Sequence, residues 1–158
     1  MPKVKANNIT MNYNQQGAGE PLILIPYLTA DHACYAFQVA EYAKHFTCIS
    51  VDLRGTGESD KPEGVYSTEL LADDIAAFMQ AIGIPKAHIS GLSLGADTGM
   101  WLAAKYPDKV KSLSVHKWVA KDGPLHQDRG RRVAGNGQSV RKRARDVHFG
   151  YLSVVFYP

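Results

Sequence analysis

The sequence predicts an α/β fold, an open and mostly parallel sheet with helices packed against it. Two observations lead to this prediction. Along the first 116 residues, short apolar runs alternate with longer segments in which apolar residues recur at helical spacing. Such runs, apolar on both faces, are typical of strands buried in a parallel sheet. In addition, the motif Gly-Leu-Ser-Leu-Gly at residues 91–95 stands where one of these strands meets a helix.

The first predicted elements are a hairpin and a buried strand. Apolar residues alternate over residues 9–13, which predicts half-buried strands within residues 3–15 and a turn at the Asn-Asn pair 7–8. The continuous apolar run at residues 22–25 stops at Pro26 and predicts a strand buried on both faces.

A crossover helix, a second buried strand and a longer helix follow. Residues 34–44 have the length and spacing of a helix that connects two parallel strands, and residues 47–51 form the next apolar run. Ser67 is placed to cap a helix whose apolar residues recur up to Ile82, and Gly83 then ends it.

The last predicted elements surround the serine motif. Residues 87–90 form a strand that leads into the motif, a helix follows up to Lys105, and residues 110–115 form a fourth buried strand. Because strand and helix alternate four times, the pattern favours a doubly wound or related open sheet. The pattern stops near His116.

The predicted core therefore covers residues 1–116, and residues 117–158 form a tail of different composition. The core carries 9 Lys+Arg and 12 Asp+Glu, a net charge of −3, whereas the tail carries 9 and 3, a net charge of +6. Basic clusters can bind nucleic-acid phosphates. An arginine cluster of this kind is more often a solvated charge run, so we expect no specific nucleic-acid partner.

The composition is that of an ordinary water-soluble protein. Hydrophobic residues make up 45% and charged residues 21%, and no apolar run approaches the roughly 20 residues of a membrane span. The N-terminus lacks the apolar segment of a secretory signal, and Cys34 and Cys48 do not have the spacing of a metal site. We therefore expect a cytoplasmic protein with free thiols, without membrane association and without a metal or organic cofactor; the oligomeric state is left open.

Ser93 is the candidate nucleophile. The glycines on either side allow a tight strand-to-helix turn, so that the serine hydroxyl projects above the end of the strand. The N-terminus of the following helix offers free N–H groups, including that of Leu94, to a developing oxyanion. An ordinary serine in a tight turn is the alternative, and the strand-turn-helix setting disfavours it.

Three segments in this order resemble the α/β-hydrolase family: residues 22–28, the Asp-Leu-Arg-Gly-Thr-Gly-Glu-Ser-Asp segment at residues 52–60, and the serine motif. Within that family the chain is similar to the esterase, enol-lactonase and C–C hydrolase group. The dehalogenases and epoxide hydrolases of the family carry aspartate at the nucleophile position, so Ser93 argues against them. The resemblance implies a serine hydrolase that attacks a small-molecule ester, thioester or lactone and forms an acyl-enzyme at Ser93.

The resemblance also implies a second oxyanion donor. The family usually has His-Gly before this donor, whereas this chain has Pro26 and Tyr27, which points to the backbone N–H of Leu28. Residues 52–60, including Arg54, are implied to form a structural loop beside the site.

Asp97 lies one helical turn after Ser93, where the family usually has a small or apolar residue. We interpret it as an acid in the first turn of a helix, where a negative charge is favourable.

A catalytic acid and histidine are not identified in this chain. In this fold they follow the serine in the order acid, then histidine. The tail offers candidates, none of them at a predicted strand end: Asp122, Asp128 and Asp146 as acids, and His126 and His148 as bases. The remaining histidines precede or lie on the central strands and are interpreted as surface or packing residues: His32, His45, His88 and His116. We therefore expect the chain to be incomplete and inactive as written.

One hypothesis accounts for the change of composition after His116. If one extra base follows the His116 codon, permitted codons of the tail can be re-read as Ser-Gly-Trp-Pro-Lys-Thr-Asp-Pro and onward. That reading resembles a helical lid segment of the family. The tail would then be an aberrant, frameshifted lid region. The alternative for the whole chain is a non-catalytic, hydrolase-like scaffold or partner-binding protein.

Overall fold

A computed structural model describes residues 1–116, which form one six-stranded sheet with helices on both faces. The strands lie in the order β1-β2-β4-β3-β5-β6. The tail predicted at residues 117–158 lies outside the described residues, so the domain boundary near His116 stays a prediction.

The chain begins with a hairpin at one edge of the sheet. Strand β1 (Lys3–Ala6) pairs antiparallel with β2 (Ile9–Gln16), and Val4 lies opposite Met11. Asn7 and Asn8 have φ angles of 44° and 65°, as a two-residue hairpin turn requires. Asparagine tolerates this region better than most residues, which explains why the sequence predicts the turn correctly.

Four parallel strands form the rest of the sheet: β3 (Glu20–Ile25), β4 (Phe46–Val51), β5 (Ala87–Leu92) and β6 (Val110–His116). Strand β3 lies in the centre, between β4 and β5, and β2 joins the group antiparallel to β4. The carboxyl ends of β3, β4 and β5 therefore lie side by side at the same end of the sheet. Open α/β sheets bind their ligands at this end.

Three helices connect these strands: α1 (Ala36–Tyr42), α2 (Thr68–Ala81) and α3 (Leu94–Lys105). The predicted crossover helix begins as a 3₁₀ turn at His32–Tyr35 before it becomes α1. The Ser67 hydroxyl accepts a hydrogen bond from the Leu70 N–H at 3.1 Å, so the predicted cap is confirmed.

The apolar runs pack on both faces of the sheet. On one face Ile23 and Ile25 join the large core beneath α2 and α3. On the other face Leu22 and Leu24 join a smaller cluster that includes Val39 of α1. Alternate residues of one strand thus enter different cores, which is why the run reads as continuously apolar. Among residues 1–116, no helix has the length and apolar character needed to cross a membrane.

Candidate active site

Ser93 occupies a strained turn between β5 and α3. Its backbone has φ 54° and ψ −112°, a conformation that non-glycine residues rarely adopt. Its N–H donates to the carbonyl oxygen of His116 at 3.0 Å, and its carbonyl oxygen accepts from the Ala96 N–H at 2.8 Å. The residue is exposed at the carboxyl end of β5. Strain of this kind persists only where the surroundings hold it, and it concentrates at functional sites.

The two glycines of the motif are required by close backbone contacts. A Cβ atom on Gly91 would lie 2.2 Å from the carbonyl oxygen of Gly95. A Cβ atom on Gly95 would lie 2.1 Å from the carbonyl oxygen of Ile25 and 2.8 Å from that of Pro26. Glycine at both positions therefore lets the end of β3 touch the start of α3, and this contact brings the loop after β3 beside Ser93.

The loop after β3 contains a β-turn at residues 27–30. The Ala30 N–H donates to the Tyr27 carbonyl oxygen at 3.1 Å, and Thr29 has a φ of 67°. A positive φ at the third position of a turn normally selects glycine. Leu28, the second residue of the turn, is 64% exposed. The hydrogen bond that closes the turn does not use the Leu28 N–H. This N–H is therefore a candidate donor, in the loop that follows the contact between β3 and the start of α3.

Buried Asp52 holds this loop to the rest of the sheet. Its Oδ1 accepts the backbone N–H of His32 at 2.8 Å and faces the His32 Nδ1 at 2.7 Å. Its Oδ2 accepts the side-chain amide of Asn12 at 2.8 Å and the N–H of Glu58 at 2.9 Å. Burial raises the pKa of Asp52, but these hydrogen bonds outweigh it and hold the pKa below its ordinary value. The loops after β3 and β4 are thereby joined through one carboxylate.

Arg54 is engaged in the scaffold, in agreement with the structural role expected for its loop. Its Nε and Nη2 donate to the two oxygens of Asp74 at 2.8 and 2.7 Å, and Nη2 also donates to the carbonyl oxygen of Asn7 at 3.1 Å. Asp74 is fully buried on α2. This pair ties the hairpin and the loop after β4 to α2.

Asp97 lies in the first turn of α3, as the sequence predicts, and its N–H donates to the Ser93 carbonyl oxygen at 3.2 Å. A negative charge here is favourable because the helix N-terminus carries a partial positive charge.

Three histidine rings in the described residues are hydrogen-bonded to partners other than Ser93. His32 faces Asp52, His88 faces Ser112 and Glu20, and His116 faces Ser114. Within residues 1–116 no histidine ring is hydrogen-bonded to the Ser93 hydroxyl. The same residues contain no cluster of three His, Cys, Asp or Glu side chains that could hold a metal ion.

Sequence reasoning missed the contribution of His32 to the loop. The two partners, His32 and Asp52, are twenty residues apart and follow different strands, so no local spacing signals their contact. Only the adjacent, parallel packing of β3 and β4 brings them together.

The resemblance stated from the sequence is tested by comparison with known proteins. A model of the α/β hydrolase fold matches residues 20–121. The chain belongs to the α/β-hydrolase family. The match supports the open, mostly parallel sheet with flanking helices that the sequence predicts.

Relatives and solved structures of this family include several hydrolases. The chain is 37% identical over 111 residues to 2-(acetamidomethylene)succinate hydrolase of Mesorhizobium japonicum, an alignment that covers 70% of this chain and 40% of the relative. The enol-lactonase of Burkholderia xenovorans is 33% identical, with a TM-score of 0.67 over 70% of this chain and 44% of that one. A thermophilic esterase of Thermogutta terrifontis is 30% identical, with a TM-score of 0.72 over 78% and 48%. The chain thus spans less than half the length of each.

Proposed function

We propose that this chain carries the nucleophile of a serine hydrolase that acts on a small-molecule carboxylic ester, thioester or lactone. The observation that supports this most directly is the Ser93 turn. The serine is exposed, its φ is 54°, and it stands at the carboxyl end of β5 with its N–H held by the His116 carbonyl oxygen at 3.0 Å. The enol-lactonase and the esterase among the similar proteins support the substrate class.

In the proposed mechanism the Ser93 Oγ attacks the carbonyl carbon of the substrate. The bond to the leaving oxygen or sulfur then breaks, and an acyl-enzyme forms at Ser93. The N–H groups of Leu94 and Leu28 donate to the oxyanion. Leu94 is the first residue of α3, where N–H groups have no acceptor within the helix. Leu28 lies in the loop after β3. This loop begins where the backbone of Ile25 and Pro26 approaches Gly95 closely.

The proposed mechanism requires a histidine to accept the serine proton. Because no histidine ring in residues 1–116 is bonded to Ser93, this base comes from outside the described residues. We therefore propose that these residues are a nucleophile-bearing unit and that they are inactive without the acid and the histidine.

A chimera tests this proposal. Residues 1–116 are joined to the remainder of the Burkholderia xenovorans enol-lactonase, and the product is treated with a fluorophosphonate probe. We expect labelling at Ser93, its loss in the Ser93→Ala form, and ester turnover in the first form only. Circular dichroism establishes that the chimera folds, and a second chimera with the Thermogutta terrifontis esterase replaces one that does not. A folded chimera that carries no adduct at Ser93, as read from fragment masses, would favour the non-catalytic scaffold.

A further inference from the structure

A second serine outside the proposed site has a hydrogen-bonded histidine and carboxylate. The Ser112 Oγ lies 2.7 Å from the His88 Nδ1, and the His88 Nε2 lies 2.8 Å from the Glu20 Oε2. These residues sit near the amino ends of β6, β5 and β3, at the opposite end of the sheet from Ser93.

The sheet register explains why three distant residues meet. His88 lies beside Leu22 of β3 on one side and beside Ser112 of β6 on the other, so the parallel strands present them on one face. Glu20 is two residues before Leu22 and therefore lies on the same face. All three residues lie within strands of the sheet, so their arrangement does not depend on the conformation of a loop.

A bulge in β6 adds Lys111 to the group. Ala87 pairs with Val110 and His88 pairs with Ser112, so the register skips Lys111. Adjacent residues of a regular strand point to opposite faces of the sheet. Here both Lys111 and Ser112 lie on the face of Glu20 and His88, and the Lys111 Nζ lies 2.8 Å from the Glu20 Oε1. Bulges re-aim side chains in this way and recur next to active sites.

Charge and packing set the roles of the three groups. Hydrogen bonds from Lys111 and His88 lower the pKa of Glu20 to about 2. The ionised carboxylate then accepts a hydrogen bond from the His88 Nε2–H. With the proton on Nε2, Nδ1 has a lone pair for the Ser112 hydroxyl. The ring also packs edge-on against Phe46, with centroids 5.7 Å apart, which restrains its orientation.

We propose that Ser112 is a second reactive serine, activated by His88 and Glu20 independently of Ser93. Its substrates are small activated acyl or phosphonyl compounds, which reach the serine from solvent because Ser112 is half-buried and the His88 side chain is 22% exposed. With a fluorophosphonate, Ser112 Oγ forms a bond to phosphorus, the P–F bond breaks, and fluoride leaves. The hydroxyl proton passes to the His88 Nδ1.

The experiment uses the full chain with Ser93→Ala, so that the proposed nucleophile cannot contribute. The protein is incubated with an alkyl fluorophosphonate and digested with trypsin, which releases residues 112–117 as one peptide. Fragment masses then distinguish Ser112 from Ser114. Ser114 is the matched control, because its hydroxyl lies 3.0 Å from the His116 Nε2 but no carboxylate of residues 1–116 is bonded to that ring.

We expect an adduct at Ser112 and none at Ser114. Adding His88→Gln removes the base and lowers the labelling rate about 100-fold, and Glu20→Gln lowers it by a smaller factor. Thermal unfolding of each variant shows that the loss is not a loss of fold. The absence of an adduct at Ser112, or an unchanged rate in a folded His88→Gln chain, overturns the proposal. If His88→Gln does not fold, an unchanged rate in folded Glu20→Gln overturns it equally.

Discussion

Gly95 lies against the backbone of Ile25: a Cβ atom at position 95 would stand 2.1 Å from the Ile25 carbonyl oxygen. This contact joins the serine turn to the end of the central strand. Both sides of the contact are backbone. Ile25 ends β3 and Gly95 lies in the first turn of α3, so neither can shift unless the strand or the helix shifts with it.

Gly95→Ala is therefore expected to destabilise the protein by about 2–3 kcal/mol, as overpacking in a rigid interior does. Urea unfolding of the full chain measures the change. Gly99→Ala on the same helix is the matched control. Its Cβ would meet the terminal Cδ1 of Leu113 at 2.8 Å, which can shift, and alanine gains about 1 kcal/mol of helix propensity. Equal effects of the two substitutions would contradict the backbone-contact argument.

Arg54→Met is expected to cost about 3–5 kcal/mol, because it leaves the buried Asp74 carboxylate without its cation. The Arg54 and Asp74 side chains are 10% and 0% exposed. Lys44→Met provides the comparison, since the Lys44–Glu41 pair is 60% and 66% exposed and such pairs contribute about 0–1 kcal/mol. A cost below about 1 kcal/mol for Arg54→Met would show that the pair does not hold the hairpin to α2.

Asp52 makes stability depend on pH. A carboxyl group whose pKa is lower in the folded than in the unfolded chain contributes stability above the unfolded value, about 4, and loses it as the pH falls through the folded value. The pKa of Asp52 is lowered by hydrogen bonds that outweigh burial. We expect Asp52→Asn to reduce stability at neutral pH and to weaken its decline below about pH 4. Unfolding curves between pH 2 and 7 test this, with Glu63→Gln as an exposed control. Parallel curves for wild type and Asp52→Asn would refute the assignment.

The unaltered chain is expected to show no ester turnover that depends on Ser93. Loss of the base from a serine triad costs on the order of a millionfold in turnover, and no histidine ring in residues 1–116 is bonded to Ser93. Hydrolysis of activated short-chain esters is compared between the chain and its Ser93→Ala form. Turnover that matches an intact serine esterase and disappears in Ser93→Ala would prove this prediction wrong.

The order of the elements was predictable because each depends on signals within a few residues. The alternation over residues 9–13 predicts the hairpin, the apolar run at 22–25 predicts β3, and Ser67 predicts the start of α2; the structure confirms each. The strand-turn-helix context of Ser93 was also visible in the sequence, because the glycines at 91 and 95 are neighbours of the serine. The same motifs predicted the family, and the family model that matches residues 20–121 confirms it.

Tertiary structure alone decided which residues meet. Nothing local links His32 to Asp52, Arg54 to Asp74, or His88 to both Glu20 and Ser112. Thr29 likewise has a φ of 67°, in a region of backbone conformation that β-branched residues such as threonine rarely adopt. Local periodicity and turn residues specify the elements through interactions along the chain. Contacts between strands depend on sheet order and register, and these are settled by burying many apolar side chains together on two faces.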